Sequence, residues 1–259
     1  MTIEFHKYQG TGNDFILIDN RETGCLLSNE QVKFLCNRHF GIGADGLMLL
    51  ENEVSFDFKM IYFNSDGHLS SMCGNGGRCI TAFAKQLGII KEKTRFFAVD
   101  GAHDAVISGG QISLKMNDVK NVEVGADYYF LNTGSPHHVK IVNDVNKMDV
   151  VEEGKKIRYS EKYRVEGTNV NFIEKLEDAI FVRTYERGVE NETLSCGTGV
   201  TAAALVSAIK GFNQEKNSCR VLTRGGELQV TYERVLDHTF YNIWLEGSAE
   251  FVYKGSINI

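Results

Sequence analysis

The segment "VTAAALVSAI", residues 200–209, gives a helix almost no polar face. A helix that is apolar nearly all round must be surrounded by other structure. A second segment, Cys79–Leu87, is almost as extreme, with Cys79, Ile80, Ala82, Phe83, Ala84 and Leu87 leaving little for water. Both segments close on a glycine, Gly88 and Gly211, suited to a left-handed cap. Both are also entered through a cysteine set among glycines, "MCGNGGRC" and "SCGTG". Any fold for this chain must therefore bury two helices, each begun by the same cysteine-glycine device.

The cover is available as strands. Alternating segments at Ile3–Tyr8, Phe15–Asp19, Leu47–Leu50, Ser55–Phe63, Phe96–Val99 and Ile112–Met116 read as half-buried strands in the first half. The second half continues with Tyr128–Asn132, Val139–Val142, Asn169–Ile173, Ala179–Thr184, Cys219–Leu222, Leu228–Tyr232, Phe240–Leu245 and Glu250–Tyr253. Two further helices are expected at Ser28–Arg38, with a serine cap, and at Val151–Tyr163, where "EEGKKIRYSEK" supplies a solvated face. The expected fold is α+β: two pseudo-symmetric halves, each a curved, mostly antiparallel sheet or barrel wrapped around one central helix. We place the N-terminal half at residues 1–117, completed by 247–259, and the C-terminal half at 118–246, with an active site in the cleft between them. The sole proline, Pro136, lies in "TGSPHHV", and no low-complexity tract marks a linker.

Charge and cysteine usage narrow the function. A net charge of −6 with dispersed Lys and Arg argues against nucleic acid as a partner. No apolar run approaches the ~20 residues of a membrane span, and "MTIEFHKYQGTGNDF" lacks the basic start and apolar core of a signal peptide. The expectation is a cytoplasmic protein. Its six cysteines form no disulfide framework, and with no CxxC the nearest pair, Cys73 and Cys79, is too widely spaced for a zinc site. We expect no metal.

Amides at a helix start lack internal partners, and the helix dipole places partial positive charge there. A thiol at that position loses its proton below the ~8.5 of a free cysteine, and the bare amides can hold a carboxylate. Small residues merely allowing close packing could explain one such segment; two in matching places point to chemistry. If both helix starts face one substrate, one thiolate removes an α-proton and the opposite thiol returns one to the other face. That inverts the centre, with hydrogen bonds to the developing enediolate supplying the acidity. No external carbanion sink is required, so no cofactor is expected.

These residues carry a resemblance. The ordered segments "GTGNDF", "FNSDGHLSSMCGNGGRC", "GSPHHV", "GTNVNF", "TYERGVENETLSCGTG" and "EGSAEFVYKG" span the chain and resemble the diaminopimelate epimerase family. The resemblance implies a cofactor-independent isomerase that interconverts LL- and meso-diaminopimelate, in lysine and peptidoglycan precursor biosynthesis, commonly as a homodimer. It assigns Cys73 and Cys196 as the two catalytic bases. Gly74, Asn75, Gly197 and Thr198 match the helix-start positions that hold the reacting carboxylate. Asn13, Asn64, Asn169, Glu186 and Arg187 match the side chains that read the substrate, and His137 and Glu186 match the groups that tune the two thiols. In two places the chain departs from common family patterns: Ser135 stands where many members have Asn, and Gly46 where some have Gln.

Other readings are weaker. "GIGADG" at 41–46 fits the glycine pattern of a dinucleotide loop, but it follows a helix and precedes a strand, the reverse of what that loop requires. The proline racemase and hydroxyproline epimerase family shares the paired cysteines but typically has His at the position of Asn75. The isomerases of phenazine biosynthesis lack the cysteine pair. A non-catalytic amino-acid-binding protein would keep the cradles without needing both sulfurs. Trp244 is assigned to the core, His138 to a strand edge, and Cys25, Cys36, Cys79 and Cys219 to inert packing.

Overall fold

A computed structural model describes residues 1–70, 72–212 and 217–259. Ser71 of the first cysteine segment lies outside the described residues. The chain divides into two compact units, Met1–Leu114 with Gly247–Ile259, and Lys115–Glu246.

The first unit opens with a hairpin, β1 (Thr2–Gly10) and β2 (Asn13–Asp19). Helix α1 (Asn29–Cys36) then crosses to β3 (Gly46–Glu51), which runs parallel to β2 and antiparallel to β4 (Lys59–Asn64). Helix α2 (Gly74–Gln86) leads to β5 (Lys93–Ala98), paired parallel to β4, and on to β6 (Gly101–Ser108) and β7 (Gln111–Lys115).

The second unit repeats this plan. After β8 (Glu123–Val124), the strands β9 (Tyr129–Asn132) and β10 (Pro136–Ile141) pair antiparallel. Helix α3 (Val150–Arg158) crosses to β11 (Asn169–Lys175), parallel to β10 and antiparallel to β12 (Ile180–Glu186). A short β13 (Asn191–Thr193) precedes α4 (Gly197–Ile209), which leads to β14 (Ser218–Thr223), parallel to β12. Antiparallel β15 (Gly226–Leu236) and β16 (Thr239–Gly247) finish it, and the last strand, β17 (Glu250–Asn258), pairs with β1 in the first unit. Each unit thus has a hairpin, a helical crossover, a second antiparallel pair, a second crossover and a closing meander.

The two crossovers differ in burial for a reason visible in the strands. In β2, Phe15, Ile16, Leu17 and Ile18 are all buried, so both sheet faces are covered. Ile16, Ile18, Leu47 and Leu49 pack with Val32 and Leu35 of α1 on the outer face. Phe15 and Met48 approach Gly76 of α2 on the inner face. In the second unit Val170, Phe172 and Tyr185 form the equivalent outer core with Val150 of α3. Helix α4 packs against β9, β10, β11, β12, β14 and β15, which explains why every residue of Val200–Val206 is without exposed surface.

Several sequence expectations shift. The helix expected over Val151–Tyr163 ends at Arg158, with Tyr159 as its C-cap, because Ser160–Glu166 turns instead. The strand expected from Ser55 begins at Lys59. Strands β6, β8 and β13 had no alternating apolar signal; "GAHDAVIS" buries only Ala105 and Ile107. Trp244 is half-buried rather than core: Ile243 and Leu245 take the inner face of β16, and the indole donates to Asn242 at 3.0 Å.

Candidate active site

Helix N-termini separate into two kinds. Helix α1 starts at Ser28 in a capping box with Gln31, and α3 starts at Asp149, whose carboxylate accepts from the Glu152 amide at 3.0 Å. Glu30, Glu152 and Glu153 add negative charge to those first turns, matching the dipole. The inner helices do neither. Cys73 is the N-cap of α2 and Cys196 the N-cap of α4, both extended, both without a side-chain capping bond, and neither first turn carries an acidic residue. These two helix starts keep their positive end for something other than their own side chains.

In the first unit Asn13, Cys73 and Asn75 come together. The hairpin turn is Thr11–Gly12, both at positive φ (49° and 81°), which sets Asn13 directly after a tight reversal. Asn13 donates through Nδ2 to Asp45 at 2.7 Å, leaving Oδ1 to accept from Asn75 Nδ2 at 3.5 Å and from the Cys73 thiol at 3.7 Å. Asp45 is itself held by Arg38 at 2.7 Å. Asn64, half-buried at the end of β4, pairs with Gly46 next to this group. A Cβ at Gly46 would lie 2.5 Å from Tyr62 Cε2 and 2.7 Å from the Phe63 carbonyl, so the Tyr62 ring leaves no room for a side chain there.

In the second unit His137 is fully buried on β10. Asn171 accepts from the Thr184 hydroxyl at 2.9 Å and donates to His137 Nδ1 at 3.0 Å. That arrangement assigns the ring hydrogen to Nε2, which is buried and has no partner among the described residues. Burial, reinforced by the nearby Arg187 charge, pulls His137 down to about 3, so the ring is neutral and Nε2 is a donor. Asn169 fixes the backbone of Arg187, accepting its N–H at 2.8 Å, while its own Nδ2 donates to Ser135 Oγ at 3.0 Å. The departure at Ser135 therefore orients Asn169. Arg187 is exposed, and its guanidinium donates to the Glu166 carbonyl at 2.7 Å. Glu186 ends β12, half-buried. At the start of α4, Cys196 Sγ lies 3.5 Å from Thr198 Oγ1, and Thr133 donates to the Thr198 carbonyl at 2.8 Å.

The glycines of the two motifs divide in function. A Cβ at Gly76 would meet Met48 Cε at 2.2 Å, and one at Gly199 would meet Asn171 Oδ1 at 2.3 Å. These third helical positions let each helix lie against the equivalent strand, β3 or β11, so close packing does explain part of each motif. Sequence reasoning did not name Asn171, although "NVNF" puts it on the same strand face as Asn169. It also passed over Thr11 and Arg78.

Burial holds two of the remaining thiols in the protonated form. Cys79 is wholly buried and its thiol is raised well above the ordinary range by desolvation; Cys36 is pushed up to about 12 for the same reason. His138 stacks on Tyr128 at 4.7 Å and meets the Tyr163 hydroxyl at 3.1 Å, a packed position rather than a ligand. No cluster of His, Cys, Asp and Glu among the described residues could hold a metal ion, and no helix there is long and apolar enough to cross a membrane.

Comparison with known proteins decides the family. The model of the family described as diaminopimelate epimerase matches residues 5–127 and 129–252. The chain belongs to the diaminopimelate epimerase family. A relative of that name from Flavobacterium psychrophilum is 52% identical, with 98% of this chain and 100% of the relative covered. Another, from Chlorobaculum tepidum, is 44% identical over 96% and 99% of the two chains. Among solved structures, a phenazine biosynthesis protein of the PhzF family from Bacillus anthracis shares the fold at a TM-score of 0.77 and 16% identity, covering 100% of both chains. A hydroxyproline epimerase from Agrobacterium vitis shares it at 0.68 and 14%, covering 99% and 92%. The α+β epimerase fold expected from the sequence is the fold observed.

Proposed function

We propose that this chain interconverts LL- and meso-diaminopimelate by proton transfer at one α-carbon, with Cys73 and Cys196 as the two bases. The observation that carries this reading is the matched pair of helix starts, each with a cysteine N-cap, no side-chain cap and no acidic first turn. Relatives named diaminopimelate epimerase cover nearly the whole chain, which supports the substrate.

In the forward direction a thiolate takes the α-hydrogen as a proton, and the bonding pair moves into the carboxylate to give an enediolate. The opposite thiol then protonates the carbon on its other face and is left as the thiolate. The enzyme ends with the roles of its sulfurs exchanged. Amides at Gly74, Asn75, Gly197 and Thr198 donate to the carboxylate, whose negative charge grows in the transition state, so their bonds strengthen as the reaction proceeds. His137, neutral and presenting Nε2–H, serves as a donor beside one sulfur, and Glu186 tunes the other. Arg187 takes the distal carboxylate, with Glu186 receiving the distal ammonium and Asn64 and Asn169 satisfying the remaining polar atoms. The protein's own dipoles supply the stabilisation, and the reading includes no cofactor. It also includes a homodimer in the cytoplasm, checked by light scattering and by cell fractionation.

The test is α-proton exchange in heavy water. LL-diaminopimelate should epimerise with deuterium incorporation and proline should not. Equal turnover of proline, or no exchange from diaminopimelate, contradicts the assignment.

A further inference from the structure

Arg78 is fully buried in the second turn of α2. Its guanidinium donates to the Ser248 carbonyl at 3.3 Å, the Gly74 carbonyl at 3.2 Å, Thr11 Oγ1 at 3.2 Å and Asn75 Oδ1 at 3.0 Å. Every one of these acceptors is neutral, and no ion pair of Arg78 occurs among the described residues. Arginine stays protonated throughout the working pH range, and a buried cation without an anion is costly. By contrast, the buried Arg183 pairs with Glu192 at 2.6 Å. Thr11, whose left-handed backbone (φ 49°) is unusual for a β-branched residue, points its hydroxyl at Arg78 and Asn75 together.

The equivalent position in α4, also five residues after the cysteine, is Thr201. Its hydroxyl donates to the Gly197 carbonyl at 3.0 Å, the same carbonyl that Arg78 covers at Gly74 in α2. The two helix starts thus share one hydrogen-bond plan, filled by a cation in one and a neutral hydroxyl in the other.

We propose that Arg78 is a positioning residue that makes the two cysteines unequal, holding Asn75 in place and favouring the thiolate at Cys73, while Cys196 rests as the thiol. This rests on the reading of both cysteines as bases. The charged groups around Cys73 support it. Asp45, reached through Asn13, is already paired with Arg38 at 2.7 Å, and Asp100, which accepts from the Met72 amide at 3.3 Å, lies 3.2 Å from His103 Nε2. Asp14 is neutralised by Lys7 at 2.8 Å and Arg38 at 2.7 Å. Cys79, next to Arg78, stays a thiol because burial raises it far above the ordinary range. One contact that opposes ionisation is Asn13 Oδ1, which accepts from the thiol across a long 3.7 Å. Arg78 is the one charge of the group without a carboxylate. A Cys73 thiolate interacts favourably with it.

Alkylation by iodoacetamide, followed across pH and read peptide by peptide by mass spectrometry, tests this on the whole chain. In the wild type Cys73 should react with a lower pH midpoint than Cys196. Arg78→Gln should raise the Cys73 midpoint by about one unit or more, the scale of removing a nearby opposite charge, and leave Cys196 in place. Arg78→Lys, which keeps the charge, should hold the midpoint within about half a unit of wild type. The acid limb of kcat/KM should move with the alkylation midpoint. A Cys73 midpoint unchanged in Arg78→Gln overturns the proposal, as does a wild-type order with Cys196 equal or lower. Should the Gln variant fail to fold, the wild-type order and the Lys variant decide. Alkylation needs no turnover, so a chain inactive on diaminopimelate would defeat the functional reading without touching this result.

Discussion

Gly76 and Gly199 occupy the same place in their helices, three residues past the cysteine, yet alanine should affect them very differently. At Gly199 the new methyl would stand 2.3 Å from Asn171 Oδ1. Asn171 cannot swing away, because it is fully buried and bonded to Thr184 at 2.9 Å and His137 at 3.0 Å. Overpacking of this kind costs about 1–3 kcal/mol, and breaking a buried amide bond adds about 1–3 kcal/mol. Helix propensity returns about 1 kcal/mol when alanine replaces glycine. The net loss expected for Gly199→Ala is therefore about 1–5 kcal/mol. At Gly76 the methyl meets Met48 Cε, the free end of a flexible side chain that can rotate aside. Gly76→Ala should stay within about 1 kcal/mol of wild type. Urea unfolding checks both, by circular dichroism and, for the second unit, by the fluorescence of the single Trp244. Equal losses in the two variants, or a neutral Gly199→Ala, would refute the claim that a pinned amide sets the cost.

The buried histidines should make the fold acid-sensitive. His137 and His138 are held down to about 3 and about 4 by burial, so the unfolded chain takes up their protons first; stability is full above pH ~6.5 and falls as pH drops toward those values. Each contributes a slope of up to about 1.4 kcal/mol per pH unit, so His137→Asn should lower the slope between pH 6 and 4 by up to that amount in a denaturation series. Arg187→Lys keeps the charge but loses the fork, and kcat/KM for diaminopimelate should fall by about 1.5–3 kcal/mol in transition-state stabilisation. Cys36 and Cys79, both raised by burial, should resist iodoacetamide at pH 8 while Cys73 reacts; peptide mapping reads the order.

Much of this was legible from residues 73–88 and 195–211, because a helix apolar all round dictates a surrounding sheet and glycines at its start expose the amides. The outer helices were legible from the Ser28 cap and from the charged amphipathic pattern after Val151, but α3 was read too long because Tyr163, buried against Phe130, looks like one more turn of an amphipathic helix. Strand β6 was missed because His103 and Asp104 interrupt its alternation. In the site, cysteines at helix starts advertise themselves by their neighbours. Arg78 does not, since its importance lies in the absence of a carboxylate, which only coordinates reveal. The signal was a cation in the second turn of α2, flanked by Gly76, Gly77, Cys79 and Ile80. The packing role of Gly76 and Gly199 was hidden for the same reason: whether a glycine serves a ligand or a neighbouring strand depends on what stands across from it.

The central claim is that Cys73 and Cys196 act on opposite faces of one α-carbon. The direct measurement uses Cys73→Ser and Cys196→Ser with each stereoisomer of diaminopimelate in heavy water, scoring deuterium at the α-carbon, with Cys→Ala at each position as the fully inactive reference. A serine hydroxyl is a poor base but can donate, so each Ser variant should exchange the α-proton of one isomer preferentially. The account predicts opposite preferences in the two variants. The same preference in both would mean that the sulfurs do not face each other across the substrate.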